Sequence, residues 1–171
     1  MYLKVKNQRG LAMIGLEIAD LRDFTSKLFL QETFDSFELV EAEFTTDFRT
    51  SLDGHLTEPQ DKIRVFAPWA VCRPLAFQII KGRKLPHAFH IVLRLSDENT
   101  ANTIRSAGIS SVTSAEVAGL YLNIHYERKK LQVVTGCSFR TFVMDKTLER
   151  EWDRVIRRFL KHHQIPFQDL V

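Results

Sequence analysis

Residues 68–95 hold two apolar runs joined by a short basic connection, with no acidic residue among them. Pro74 suits the first position of a helix, because its ring fixes φ and it has no N–H to leave unpaired. Gly82 suits the left-handed residue that ends a helix. Leu75, Ala76, Phe77, Ile79 and Ile80 wrap so much of this short helix that it is expected to be covered on more than one side. Arg83, Lys84, Leu85 and Pro86 then turn the chain, and Ala88–Leu95 reads as a central strand, rich in β-branched and aromatic residues. Two buried elements are thus joined by a positive loop.

The same grammar appears on both sides of this stretch. Met13 opens into the strand Ile14–Ile18, Asp20 caps a helix with Asp23 at its third position, and Leu21, Phe24 and Leu28 recur at helical spacing. Val40, Ala42, Phe44 and Thr46 alternate with Glu41, Glu43 and Thr45, as a half-buried strand requires. Phe48–Leu52 and an Asp53–Gly54 turn follow, and residues 57–66 show no period. Downstream, Ser96 caps a helix that Gly108 ends. Leu120, Leu122, Ile124 and Tyr126 then alternate with polar residues, Glu127–Lys130 forms a hairpin tip, and Leu131–Val143 returns. Two β-α-β-β units result. They predict one α+β domain with a largely antiparallel sheet of about six strands and helices over one face. A long C-terminal helix over 146–163 completes it, with Leu148, Trp152, Val155, Ile156, Phe159 and Leu160 in one stripe. Its acidic start and basic end match the helix dipole.

A chain of 171 residues suffices to bury a core without disulfide or metal. Cys72 and Cys137 therefore read as free thiols in a cytoplasmic protein. No apolar run approaches membrane-spanning length, and Glu17 and Asp20 break the only run placed as a secretion signal would be. Residues 1–12, basic and polar, read as an extension outside the core, with Met13 a candidate start and 13–171 the domain. Charge is unevenly spread: residues 13–61 carry twelve acidic and three basic side chains, and residues 62–96 carry seven basic and none acidic. That asymmetry suits an anionic ligand, a nucleic acid, self-association or a protein partner.

Several constellations are weighed as chemistry. Arg73, Lys81, Arg83 and Lys84, joined by His87, are expected to border an anion-binding site, on condition that the fold brings a second element to unite them. Lys81 at a helix C-terminus also has an ordinary role there. Glu41 and Glu43 share one strand face at a spacing suited to paired carboxylates, which a solvated polar face explains equally. Cys137, beside Gly136 and Ser138, is a candidate nucleophile with His125 on the neighbouring strand; the alternative is a small core residue. His87 and His90 point to opposite strand faces and His162 and His163 diverge on a helix, so no local metal clamp is expected. No glycine-rich phosphate loop joins a strand to a helix, so no nucleotide cofactor is expected.

The chain also resembles a family of short bacterial proteins, typical of clostridial relatives, known only as a domain of unknown function. The resemblance runs from Met13 to Phe167. It rests on Thr33-Phe-Asp-Ser-Phe, Glu41-Ala-Glu, Pro68-Trp, Arg73-Pro, Ile80-Lys-Gly-Arg, Leu120-Tyr-Leu-Asn and Ile165-Pro-Phe. Members of that family begin where Met13 stands, and the family implies no activity, cofactor or site residue. The function expected from the residues is a non-catalytic binding or regulatory module with a basic anion- or nucleic-acid-binding surface. A small enzyme using Cys137 or the Glu41/Glu43 pair is the alternative.

Overall fold

The computed structural model describes residues 13–58, 64–82 and 85–170. The expected extension over residues 1–12 lies outside them, as do Arg83 and Lys84. After β1 (Gly15–Ile18), the Asp20 carboxylate accepts the Asp23 N–H at 3.0 Å and starts α1 (Leu21–Phe29). A nine-residue strand, β2 (Phe37–Thr45), turns back as β3 (Arg49–Asp53), and β4 (Ala67–Pro68) leads into α2 (Trp69–Ile80). The second half begins with β5 (Ala88–Leu95). Ser96 then caps α3 (Asp97–Ser106), and Gly108 follows that helix at φ 65°. The long hairpin β6 (Val117–Glu127) and β7 (Lys130–Phe139) precedes α4 (Thr147–His162) and β8 (Phe167–Asp169).

All strand pairings are antiparallel, in the order β3-β2-β5-β6-β7-β1-β8, with β4 beside the start of β2. The expected β-α-β-β grammar is present twice in chain order. In space, however, β5, β6 and β7 of the second unit stand between β2 and β1 of the first, so neither unit closes alone. Among the described residues the sheet has eight strands where about six were expected, because β4 and β8 are too short to display a period of two.

One sheet face is covered. Ala42, Phe44, Phe89, Ile91, Leu93, Leu122, Ile124, Leu131 and Val133 are buried there, in one cluster with Phe24 and Leu28 of α1, Trp69 and Ala76 of α2, and Trp152 and Ile156 of α4. Phe77, Ile80 and Phe159 pack against its border. The chain is therefore a single α+β domain with a long C-terminal helix. Among the described residues no helix is long and apolar enough to cross a membrane.

Local expectations are corrected in α2 and β7. α2 begins at Trp69, five residues before Pro74, because the Trp69 side chain is fully buried and its Nε1–H donates to the Leu28 carbonyl at 3.0 Å. That anchor outweighs the hydrogen bond Pro74 cannot donate inside the helix. One side of the helix stays open, with Val71 64 % and Leu75 58 % exposed. It ends through an extended Lys81, one residue before the expected Gly82. β7 stops at Phe139, short of the expected Val143.

Gly54 is not a turn glycine either. The hairpin reverses at residues 46–48, and Gly54 instead links β2 and β4, its N–H donating to the Val40 carbonyl and its carbonyl accepting the Ala67 N–H. A Cβ there would lie 1.7 Å from the Leu39 carbonyl oxygen, at the bulge between Leu39 and Glu41. Gly54→Ala is expected to cost about 3 kcal/mol and to lower Tm by about 6–12 °C. Gly108→Ala, with nothing within 4 Å, should cost only the left-handed penalty of about 1 kcal/mol. Thermal unfolding of the two variants checks the contrast, and equal losses would contradict it.

Candidate functional site: the basic end and open face of the sheet

The sheet's register places three connecting segments side by side. Lys130 pairs with Glu127, Glu127 with Ala88, Ala88 with Thr45 and Thr45 with Arg49. This row crosses five strands, about 19 Å at about 4.8 Å per strand. Beyond it lie the β6–β7 tip, the entry to β5 at His87 and the β2–β3 turn. The His87 N–H donates to the Thr45 carbonyl at 2.8 Å, fastening two of these segments together.

The β6–β7 tip is a two-residue loop, Arg128 and Lys129, at φ 52° and 63°. The right-handed twist of the strands demands such a mirror-image turn, and Asn-Gly is the pair that adopts it most readily. Here two long basic side chains hold left-handed backbones, with a third, Lys130, directly after them. All three are exposed. Phe48, 71 % exposed, and Leu85, 73 % exposed, are apolar neighbours of the same end in the fold. Arg49, at the same end, lies 3.5 Å from the Glu43 carboxylate, whereas among the described residues Arg128, Lys129 and Lys130 form no salt bridge.

The expected anion-binding set is divided by the fold. Arg73 gives Nε–H and Nη2–H to the two Asp35 oxygens at 3.0 and 2.9 Å, a two-point pair that is mostly buried. It ties α2 to the segment before β2. Lys81 is exposed at the opposite end of α2, about 12 Å further along at about 1.5 Å per residue. His87 is exposed where β5 begins. The Arg128–Lys130 tip, expected from the sequence only as a turn, lies beyond the same row as His87. The available signal was a two-residue turn without Gly or Asn.

The uncovered sheet face carries a second arrangement. Successive partners Ser51, Glu43, His90, His125, Gln132 and Glu17 form one cross-strand row, and Glu41 stands beside Val92 in the next. Glu41 and Glu43 do share a face, as expected. At one end the segment before β4 roofs this face, where Phe66 lies over the Arg94 guanidinium at 5.5 Å. Arg94 bonds to Glu38 at 3.0 Å, to the Ala118 carbonyl and to Asp97. Burial pushes the Glu38 carboxyl up, against the pull of Arg94.

Cys137 belongs to the covered face, paired with Leu120, whereas His125 faces outward opposite Gln132. Five residues of β7, about 17 Å, and the sheet itself separate them. The imagined Cys137–His125 pair is therefore corrected by register. Burial, with the Glu149 and Asp153 carboxylates nearby, pushes the Cys137 thiol up to about 12. A thiol so placed stays protonated near neutrality and is a poor nucleophile. Asp153 is itself pushed up by burial while accepting the Thr135 hydroxyl at 2.5 Å. A cleft of about 390 Å³ between α3 and α4, lined by Asn99, Asn102, Thr103, Glu151 and Arg158, is bordered by none of Cys137, Glu41 or Glu43.

The chain belongs to a family of unknown function (DUF5721), whose model matches residues 27–168. No curated protein and no solved structure matches it.

Two outcomes follow from this geometry. Arg73→Ala breaks a charge-assisted two-point pair and is expected to cost about 2 kcal/mol, or about 4–8 °C in Tm, without altering phosphate binding. Calorimetry with inorganic phosphate separates a structural from a ligand-binding Arg73. For His90, burial first and His125 second hold the imidazolium below its ordinary range, against Glu41 and Glu43. The unfolded chain then takes up the proton first, so this contribution is full above about pH 6.5 and is lost as pH falls below it. His90→Gln should make the fall in Tm between about pH 7.5 and 5.5 shallower. An unchanged slope would remove His90 as its cause.

Proposed function

We propose that this protein is a cytosolic, non-catalytic binding module that holds nucleic acid at the basic end of its sheet. The observation that supports this reading most is the β6–β7 tip, where Arg128 and Lys129 both occupy left-handed backbone positions. Each such residue costs about 1–2 kcal/mol relative to glycine. Backbone strain at an exposed tip points to a role for the side chains rather than to stability. Lys130, Arg49 and the exposed Phe48 extend the surface. Cationic groups supply phosphate attraction, and an exposed aromatic supplies a stacking face for bases. The sequence also places Arg83 and Lys84 between Gly82 and Leu85, in the connection that leads to this end.

An enzymatic role receives no comparable support. Cys137 is a half-buried thiol held neutral, and Glu41 and Glu43 stand on one strand face with Glu43 engaged by Arg49.

The test uses a double variant, Arg128→Asn with Lys129→Gly, which removes both charges while installing the residues this turn prefers. It should raise Tm by about 2–4 °C. It should also weaken binding to labelled single-stranded or duplex oligonucleotides at least about tenfold at about 50 mM salt, and reduce the salt slope by about 1.5. Equal affinity in the variant, or no binding of either oligonucleotide by the wild-type chain at low salt, would overturn the reading.

A further inference from the structure

The open face of the sheet brings together two histidines that lie 35 positions apart in sequence. His90 on β5 and His125 on β6 are direct cross-strand partners, with ring centroids 5.9 Å apart and planes at 66°. Both side chains point away from the helices, because their neighbours Phe89, Ile91, Ile124 and Tyr126 are buried on the covered face. His90 is half-buried and His125 exposed.

We infer that His90 and His125 form a two-imidazole site for a borderline divalent transition-metal cation, of the class of Zn²⁺, Ni²⁺ or Cu²⁺. The separation is what the chemistry requires. A metal–nitrogen bond of about 2.0–2.1 Å puts a ring centre about 3.2 Å from the metal. Two coordinated rings are then about 5.2 Å apart at a tetrahedral angle and about 6.4 Å apart when opposed. The observed separation falls inside that interval. Adjacent antiparallel strands hold both backbones, so binding needs only side-chain rotation.

The surroundings favour a cation. Glu41 and Glu43 of β2 act on His90, and the Glu127 carboxylate lies 3.7 Å from His125 Nε2. Arg49 of β3 opposes them but is engaged by Glu43. Among the described residues no three His, Cys, Asp or Glu side chains are arranged as a closed metal site. The pair is therefore an open site, with the remaining positions left to water or to a ligand that arrives with the metal. Neither histidine belongs to the proposed nucleic-acid surface, so the two proposals fail separately.

The test titrates the full chain with Cu²⁺, Ni²⁺ and Zn²⁺ by calorimetry near pH 7.5. One cation is expected to bind per chain at this pair, Cu²⁺ most tightly. His90→Gln and His125→Gln should each weaken binding at least about tenfold, because the second imidazole acts at high effective concentration. His162→Gln with His163→Gln should leave this binding unchanged. Affinity should fall as pH drops through the imidazole range. On the unaltered protein, substoichiometric Cu²⁺ should broaden the His90 and His125 ring resonances before those of the other histidines. The inference is overturned if no cation binds up to about 1 mM, if neither glutamine variant weakens binding, or if other histidines broaden first.

Discussion

Register across the sheet is the constraint on which the other features depend. A strand's side chains alternate between faces, so a slip of one residue in any pairing would exchange its buried and exposed sets. From β2 through β5, β6 and β7 to β1, the pairings keep Phe44, Phe89, Tyr126 and Leu131 in one row on the helical side. The same pairings necessarily keep Glu43, His90, His125 and Gln132 in one row on the other. The chemistry of the open face is therefore a consequence of how the core was aligned.

Several charged groups that resemble site residues in the sequence serve to hold this alignment. Arg94 fastens the start of β2, the beginning of α3 and the start of β6 through Glu38, Asp97 and the Ala118 carbonyl. Arg73 joins α2 to Asp35. Asp153 of α4 accepts the Thr135 hydroxyl, which in turn accepts the Ile14 N–H, so a helix, a central strand and the entry to β1 meet at one carboxylate. Buried polar groups of this kind must be matched, because an unmatched one costs more than its bond contributes. Their geometry consumes the charge that would otherwise be available to a ligand.

What remains uncommitted is concentrated at the hairpin end and the open face. The basic tip is exposed, holds two left-handed non-glycine residues and, among the described residues, forms no salt bridge. Between the tip and the roofed end lie the two histidines, among carboxylates. The two surfaces have opposite electrostatic character and share the β6–β7 hairpin, whose residues Lys130 and Gln132 are two positions apart. A ligand bridging both would therefore meet phosphate-seeking and cation-seeking groups within one strand's length.

The alternating runs at 40–46 and 120–126, the caps at Asp20 and Ser96 and the stripe of α4 were legible in the sequence, because each depends on neighbours within a few positions. They sufficed for an antiparallel α+β domain and a terminal helix. The start of α2 was not legible: Pro74 carries a strong local signal, whereas Trp69 is held by Leu28, forty-one positions away. The insertion of β5–β7 between β2 and β1, the partnership of His90 with His125 and the separation of Cys137 from His125 were decided by tertiary structure alone. Local sequence sets which face a residue takes within its own strand. Only the pairing of distant strands, chosen by burial of the whole apolar face, determines which residues become neighbours.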